Sequence, residues 1–312
     1  MAAPSSNAIQ STTSCLPFNP GPEFEDLQKK YGHVDRYLFR LFHKHSEAIK
    51  DRAWIKSRDA QLLRPSSNCD IFARYFRKDV AQALRRHLLQ EVQPHEEDNF
   101  VSWSNSLLRL LHYACHTMRQ AGVYSLKDTF ICVVDKTRLP ARVFMSELFL
   151  ISAFAPHDVS TEDPSTSKRS LRYLQSQRQS QSKHSGNTGP YNSGEYLSQG
   201  ALHVEGRCSI VSVADIIDAG LYTLRRELSL PTRKSGIVAR SLLQLREDFH
   251  KPSSRCPTKA SEIEAALRIG EKYGPSWKLP MALAFLALKP RMEWDDAIMK
   301  ASRQFHGKPR LP

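Results

Sequence analysis

Apolar positions recur along this chain with two different periods, and the switches between them locate its elements. Tyr37-Leu38-Phe39-Arg40-Leu41-Phe42 is a short aromatic and aliphatic run that predicts a strand with one arginine inside it. A short helix is expected over Glu23–Lys30, and Trp54 to Asn68 reads as a polar connection. From Asp70 the pattern turns helical. Ile71, Phe72, Tyr75, Phe76, Val80, Leu84, Leu88 and Leu89 recur at three- and four-residue intervals, with arginines and lysines opposite. Phe100-Val101-Ser102-Trp103-Ser104 then predicts a strand that hands over to a helix. The apolar stripe of that helix is Leu107, Leu108, Leu110, Leu111 and Ala114; Asn105 or Ser106 can cap its start, and it is expected to end near Gly122. Phe130–Asp135 is a β-branched run typical of a buried strand. Met145–Phe154 fits strand and helix equally well. Cys208–Val213 predicts a strand, and Asp215–Leu230 a helix stopped by Pro231.

Two stretches lack either period. Met1 to Pro22 is poor in apolar residues and punctuated by Pro and Gly, so a disordered tail is expected. His157 to Gly189 repeats Ser, Thr, Gln and Lys and reads as a disordered insertion. Beyond Thr232 the character changes, with helical patterns over Ile237–Phe249, Lys259–Tyr273, Leu279–Leu288 and Trp294–Phe305. The expected organisation is therefore a tail over 1–22, an α+β domain over 23–231 with the insertion near 157–189, and a helical extension over 232–312.

Composition narrows the function class. A formal net charge of +13 over 312 residues makes an acidic partner plausible, such as a phosphorylated cofactor or a nucleic acid. The basic residues are scattered with no block of like charge, which ranks nucleic acid last. The six cysteines are far apart without a C-x-x-C pair, so they read as free thiols of a reducing compartment. The N-terminal stretch holds no apolar run like that of a secretory signal, and the longest apolar stretches are too short to span a bilayer. The expectation is an intracellular protein, cytoplasmic or nuclear, without membrane partners.

The chemistry concentrates at the strand-to-helix handover. There the hydroxyls of Ser102 and Ser104 and the free backbone N–H groups of a helix start can converge on one anionic ligand; the plainer reading is an ordinary cap. Glu195 stands between Gly194 and Gly200, whose presence indicates tight backbone geometry. His112 and His116 have the i, i+4 spacing of metal ligands but no third ligand nearby, so no metal site is expected. His87, His95, His157 and His184 lie in polar contexts and carry no signal.

In the order Arg40, Ser102 and Ser104, Glu195, the chain resembles the Arg…Ser-Thr-Ser…Glu pattern of the ADP-ribosyltransferase superfamily, particularly its heat-labile-enterotoxin-like branch. Leu38-Phe39-Arg40 is similar to the Leu-Tyr-Arg of that branch. Val101-Ser102-Trp103-Ser104 is similar to its Val-Ser-Thr-Ser, and Glu195-Tyr196-Leu197-Ser198-Gln199-Gly200 to the run around its glutamate. A closer resemblance, over roughly Arg36 to Leu224, is to an uncharacterised fungal domain family sharing R-Y-L-F-R, V-S-W-S-x-S-L and G-E-Y-L-S-Q-G; it brings no activity. The superfamily resemblance implies an ADP-ribosyltransferase-like split β-sheet domain with flanking helices and NAD as cofactor. It implies Glu195 as the catalytic carboxylate and Arg40, Ser102 and Ser104 as cofactor-binding residues. Two departures stand out: Trp103 replaces a small threonine, and Ser193 stands where arginine-modifying members carry an acid or Gln. A non-catalytic protein-interaction domain on the same scaffold is the alternative, as expected if Trp103 fills the cleft and the missing acid at Ser193 is meaningful; the plainer reading puts Trp103 in the core or the cleft wall.

Overall fold

A computed structural model of the chain describes residues 15–44, 53–115, 125–159, 169–179, 194–229, 242–247, 249 and 251–306. The fold is mixed α+β. Its strands are β1 (Tyr37–His43), β2 (Trp54–Lys56), β3 (Phe100–Ser104), β4 (Thr129–Asp135), β5 (Met145–Ser146), β6 (Glu195–Gln199), β7 (Ala201–His203) and β8 (Cys208–Ser212). Six of them form an antiparallel sheet in the order β5-β6-β3-β1-β4-β8, while β2 and β7 pair as a small second sheet. Between them run α1 (Glu25–Tyr31), α2 (Arg58–Gln61), α3 (Arg77–Leu89), α4 (Leu107–Tyr113), α5 (Glu147–Phe154), α6 (Leu171–Gln179), α7 (Val213–Asp218) and α8 (Leu221–Leu224).

The middle of the large sheet is its weakest seam. β1 pairs with β4 at seven consecutive positions, from Tyr37 opposite Asp135 to His43 opposite Thr129. It meets β3 only where Phe39 faces Ser104. β3 in turn pairs along its whole length with β6, Phe100 opposite Gln199 through Ser104 opposite Glu195. The sheet thus divides into two three-stranded halves joined at one residue pair, and a cleft opens beside that pair.

Strand alternation sends side chains into separate cores. Leu38, Phe42, Val101, Trp103, Cys132, Val134 and Tyr196 share one, with Ile55 and Leu202 from the small sheet. Phe39, Ile131, Val133 and Val211 pack with Leu107, Leu108 and Leu111 of α4. The late helices Ala260–Lys272 and Lys278–Leu286 join them through Ile269 and Phe285. Phe100, Met145 and Leu197 lie under α3 and α5 with Leu84, Phe149 and Phe154. Each half of the sheet therefore has its own helical cover.

Several local expectations are revised by packing. Residues 15–22, read as part of a disordered tail, run along the sheet. Phe18 is fully buried and its N–H donates to the Arg142 carbonyl (2.9 Å), Gln199 Nε2 donates to the Pro17 carbonyl (3.0 Å) and Asn19 N to Asp70 Oδ2 (2.9 Å), so one aromatic and several hydrogen bonds anchor the segment. Within the stretch read as a disordered insertion, α6 buries Leu171 and Leu174, two apolar residues with helical spacing. Trp54 to Lys56, read as connection, is the strand β2, which buries Ile55. The ambiguous Met145–Phe154 run is nearly all helix: Ser146 ends β5, and its hydroxyl accepts from Phe149 N (3.2 Å) as N-cap of α5. The helical pattern from Asp70 is regular only from Arg77, the earlier part being a single tight turn over Ile71–Ala73. The expected end of α4 near Gly122, together with His116 and Ser193, lies outside the described residues.

Candidate functional site

The seam between β1 and β3 positions the site. Because the strands part after Phe39 and Ser104, the Ser102 carbonyl has no ladder partner on β1, and Arg40 NH1 donates to it instead (2.8 Å). Arg40 Nε is buried without a hydrogen-bond partner. Burial pulls the Arg40 guanidinium down to about 10, since a cation loses hydration there. Arg40, Gln90, Ser102, Ser104, Arg109 and Glu195 line a common cleft of about 190 Å³. All four sequence-predicted site residues meet in it.

Glu195 is the first residue of β6, and Ser104 stands directly opposite it. Both terminal nitrogens of Arg109, on α4, lie 3.5 Å from Glu195 Oε2. α4 starts where it does because Ser106 caps it, its hydroxyl accepting from Arg109 N (3.4 Å). The Ser104 hydroxyl accepts from Ser106 N (3.0 Å) and so shapes the same turn. Gly194 has φ +57°, and a Cβ there would fall on the Asn105 side-chain oxygen; its carbonyl accepts from Asn105 N (3.0 Å). A left-handed conformation beside a tight contact requires glycine. Gly194→Ala is expected to cost at least about 1–2 kcal/mol, read as a lowered midpoint in denaturant unfolding.

Glu195 also borders a second, larger cavity of about 760 Å³, shared with Lys30, Asp35, Glu147, Arg178 and Tyr196. Glu147 is buried, and Arg178 Nε donates to it (2.6 Å). Burial, reinforced by the neighbouring Glu195 charge and opposed by Arg178, pushes the Glu147 carboxyl from its ordinary 4.5 up to about 7. A raised folded-state value means that this group's stabilising contribution is complete below pH 4.5 and is lost as pH rises through about 7. Glu147→Gln mimics the protonated form. Its stability relative to the native chain should therefore rise between pH 5 and pH 8, by on the order of 3 kcal/mol at most, in urea unfolding at the two pH values. A gap that stays constant would contradict this.

Trp103 is a core residue, as its plainer reading has it, and its ring does not fill the cleft. It is buried on the other side of β3, edge-on to Phe144 at 5.2 Å, and its Nε1 donates to Ser198 Oγ (3.0 Å). His87, which carries no sequence signal, is hydrogen-bonded to a residue of the cleft wall. Its Nδ1 lies 2.9 and 3.0 Å from the two Asp98 oxygens and its Nε2 lies 2.9 Å from Ser102 Oγ. Burial works against the charged imidazole, but Asp98, by charge and hydrogen bond, and Glu195 outweigh it, so His87 titrates above its ordinary value despite Arg40. His112 is buried. Elsewhere on α3, Arg77 pairs with Glu23 (2.8 Å) and Arg86 with Glu96 (2.6 Å), so part of its basic face is matched by acids.

A family model described as a domain of unknown function, DUF7587, matches residues 33–202, more than half of the chain and the whole of the site. Comparisons with curated proteins and with solved structures gave no match.

Proposed function

The chain belongs to this domain family, DUF7587, and we propose that its cleft binds NAD and cleaves the nicotinamide–ribose bond in the manner of an ADP-ribosyltransferase. One observation carries the reading. Arg40, Ser102, Ser104 and Glu195, from three separate segments, line one cleft at the seam of a divided sheet. The strands that bear them lie side by side, in the order β6-β3-β1.

The residues suit the group. The small cavity alone is below the usual ligand-site range of roughly 300–1,000 Å³, but Glu195 also lines the larger one. A dinucleotide laid across Glu195 would use both. NAD would supply a glycosidic bond that breaks with positive charge developing on the ribose. Glu195 would stabilise that charge and accept a ribose hydroxyl. Arg109 orients its carboxylate beforehand. Ser102 would orient the ribose, and Arg40, whose Nε has a donor to spare, would hold a phosphate or ribose oxygen. The non-catalytic reading draws on Trp103 filling the cleft and on the missing acid at Ser193, and the buried indole speaks against the first of these.

Calorimetric titration tests the reading. The native chain should bind NAD, and Arg40→Ala should weaken binding at least tenfold, about 1.4 kcal/mol for a charge-assisted hydrogen bond. No heat at millimolar NAD would contradict the proposal.

A further inference from the structure

Outside the carboxylate chemistry just described, the cleft holds a second arrangement that uses different groups. Asp98, His87 and Ser102 form an unbroken hydrogen-bonded chain that ends on the hydroxyl of Ser102, a residue that lines the cleft. A carboxylate can only accept, so His87 Nδ1 carries the proton towards Asp98. In the neutral imidazole, Nε2 is then the acceptor for the Ser102 hydroxyl. This is the orientation that lets a histidine take a serine's proton. The carboxylate end is fixed. Asp98 Oδ1 accepts from Phe100 N (3.1 Å), and Asp98 N donates to Asp59 Oδ1 (3.0 Å). Asp59 is itself fully buried and held by Arg64 NH1 (3.1 Å) and Ser66 Oγ (2.9 Å). Arg40 and Arg109, the latter paired with Glu195 (3.5 Å), stand against that single carboxylate among the residues lining the cleft and leave it with one net positive charge.

We propose that Ser102, His87 and Asp98 act as nucleophile, base and positioning carboxylate in acyl transfer, and that the substrate is a small anionic ester or thioester. Ser102 Oγ bonds to the acyl carbon while its proton passes to His87 Nε2. The carbonyl electron pair moves onto oxygen, where an arginine offsets the charge. As the carbonyl re-forms, the bond to the alkoxide or thiolate breaks, and that leaving group takes the proton from His87. Water, deprotonated by His87 in turn, then attacks the acyl-serine, releasing a carboxylic acid and restoring the hydroxyl. No oxidant or metal is required. The cavity of about 190 Å³ beside Ser102 suits a small acyl group, and the net positive charge of its lining favours a substrate that carries an ionised carboxylate besides its ester.

The test is reaction of the full chain with a fluorophosphonate ester, followed by peptide mapping, alongside turnover of the 4-nitrophenyl monoester of succinic acid. The expected result is stoichiometric labelling of Ser102. Labelling should be at least about 10²-fold slower in both His87→Gln and Asp98→Asn and should slow as pH falls through the histidine's titration. The succinate monoester should turn over faster than 4-nitrophenyl acetate. Absence of label on Ser102 in the native chain would overturn the proposal, as would equal labelling rates in a folded His87→Gln or Asp98→Asn variant. Labelling of the native chain alone can overturn the proposal, so the test does not depend on either variant folding. Nicotinamide release is measured separately, so the NAD reading and this one fail independently.

Discussion

Glu195→Gln is expected to lower nicotinamide release from NAD by about 10²–10³-fold, the loss typical of removing one preorganised electrostatic group from a transition state. NAD affinity should change no more than a few-fold, because the amide keeps the shape and most hydrogen bonds of the carboxylate. What it loses is the negative charge that opposes the cation developing on the ribose. A split between binding and rate is the informative outcome. Chromatographic assay of nicotinamide, paired with calorimetry on the same preparation, measures both. Equal release by native and variant chains would remove Glu195 from the chemistry.

The second large effect concerns the fold. Trp103→Ala should destabilise the chain by about 3–5 kcal/mol, the range for deleting a buried large aromatic side chain. The residue is 1% exposed, packs edge-on against Phe144 and donates to Ser198 Oγ, which the substitution strands. Its ring shares a core with Leu38, Val101, Cys132 and Tyr196 across several strands of the sheet, so no single neighbour can close the gap. The unfolding midpoint in urea gives the number. A loss below about 1 kcal/mol, the level of an ordinary surface change, would mean that the ring is not a core element.

How much of this was legible in the sequence depends on whether the signal is local. Strands β1, β3 and β4 announce themselves as apolar runs because both of their faces carry buried side chains. Ser102, Ser104 and the turn into α4 were readable for the same reason: a cap and a stripe are neighbours in sequence. β2 was not, since only Ile55 of its three residues is buried. α6 was hidden by composition, because two buried leucines among Ser, Gln and Arg suffice once a groove between other elements exists to receive them. Arg40 and Glu195 were singled out by order within a motif, yet nothing local says that β1 and β3 part beside them. His87 marks the limit. It sits near the end of α3 in a polar stretch, and only the packing of that helix beside β3 brings its ring to Ser102 and Asp98. A histidine on the inner side of an amphipathic helix, followed by an acidic turn and a serine-bearing strand, was the one available hint.

The most direct test of the cleft's role is a crystal structure grown with NAD at millimolar concentration. The predicted result is the nicotinamide ribose against Glu195 and Ser102, with a phosphate or ribose oxygen on Arg40 and the remainder of the molecule in the larger cavity beyond Glu195. NAD bound elsewhere, with Arg40 still closed on the Ser102 carbonyl and Arg109 still on Glu195, would contradict it.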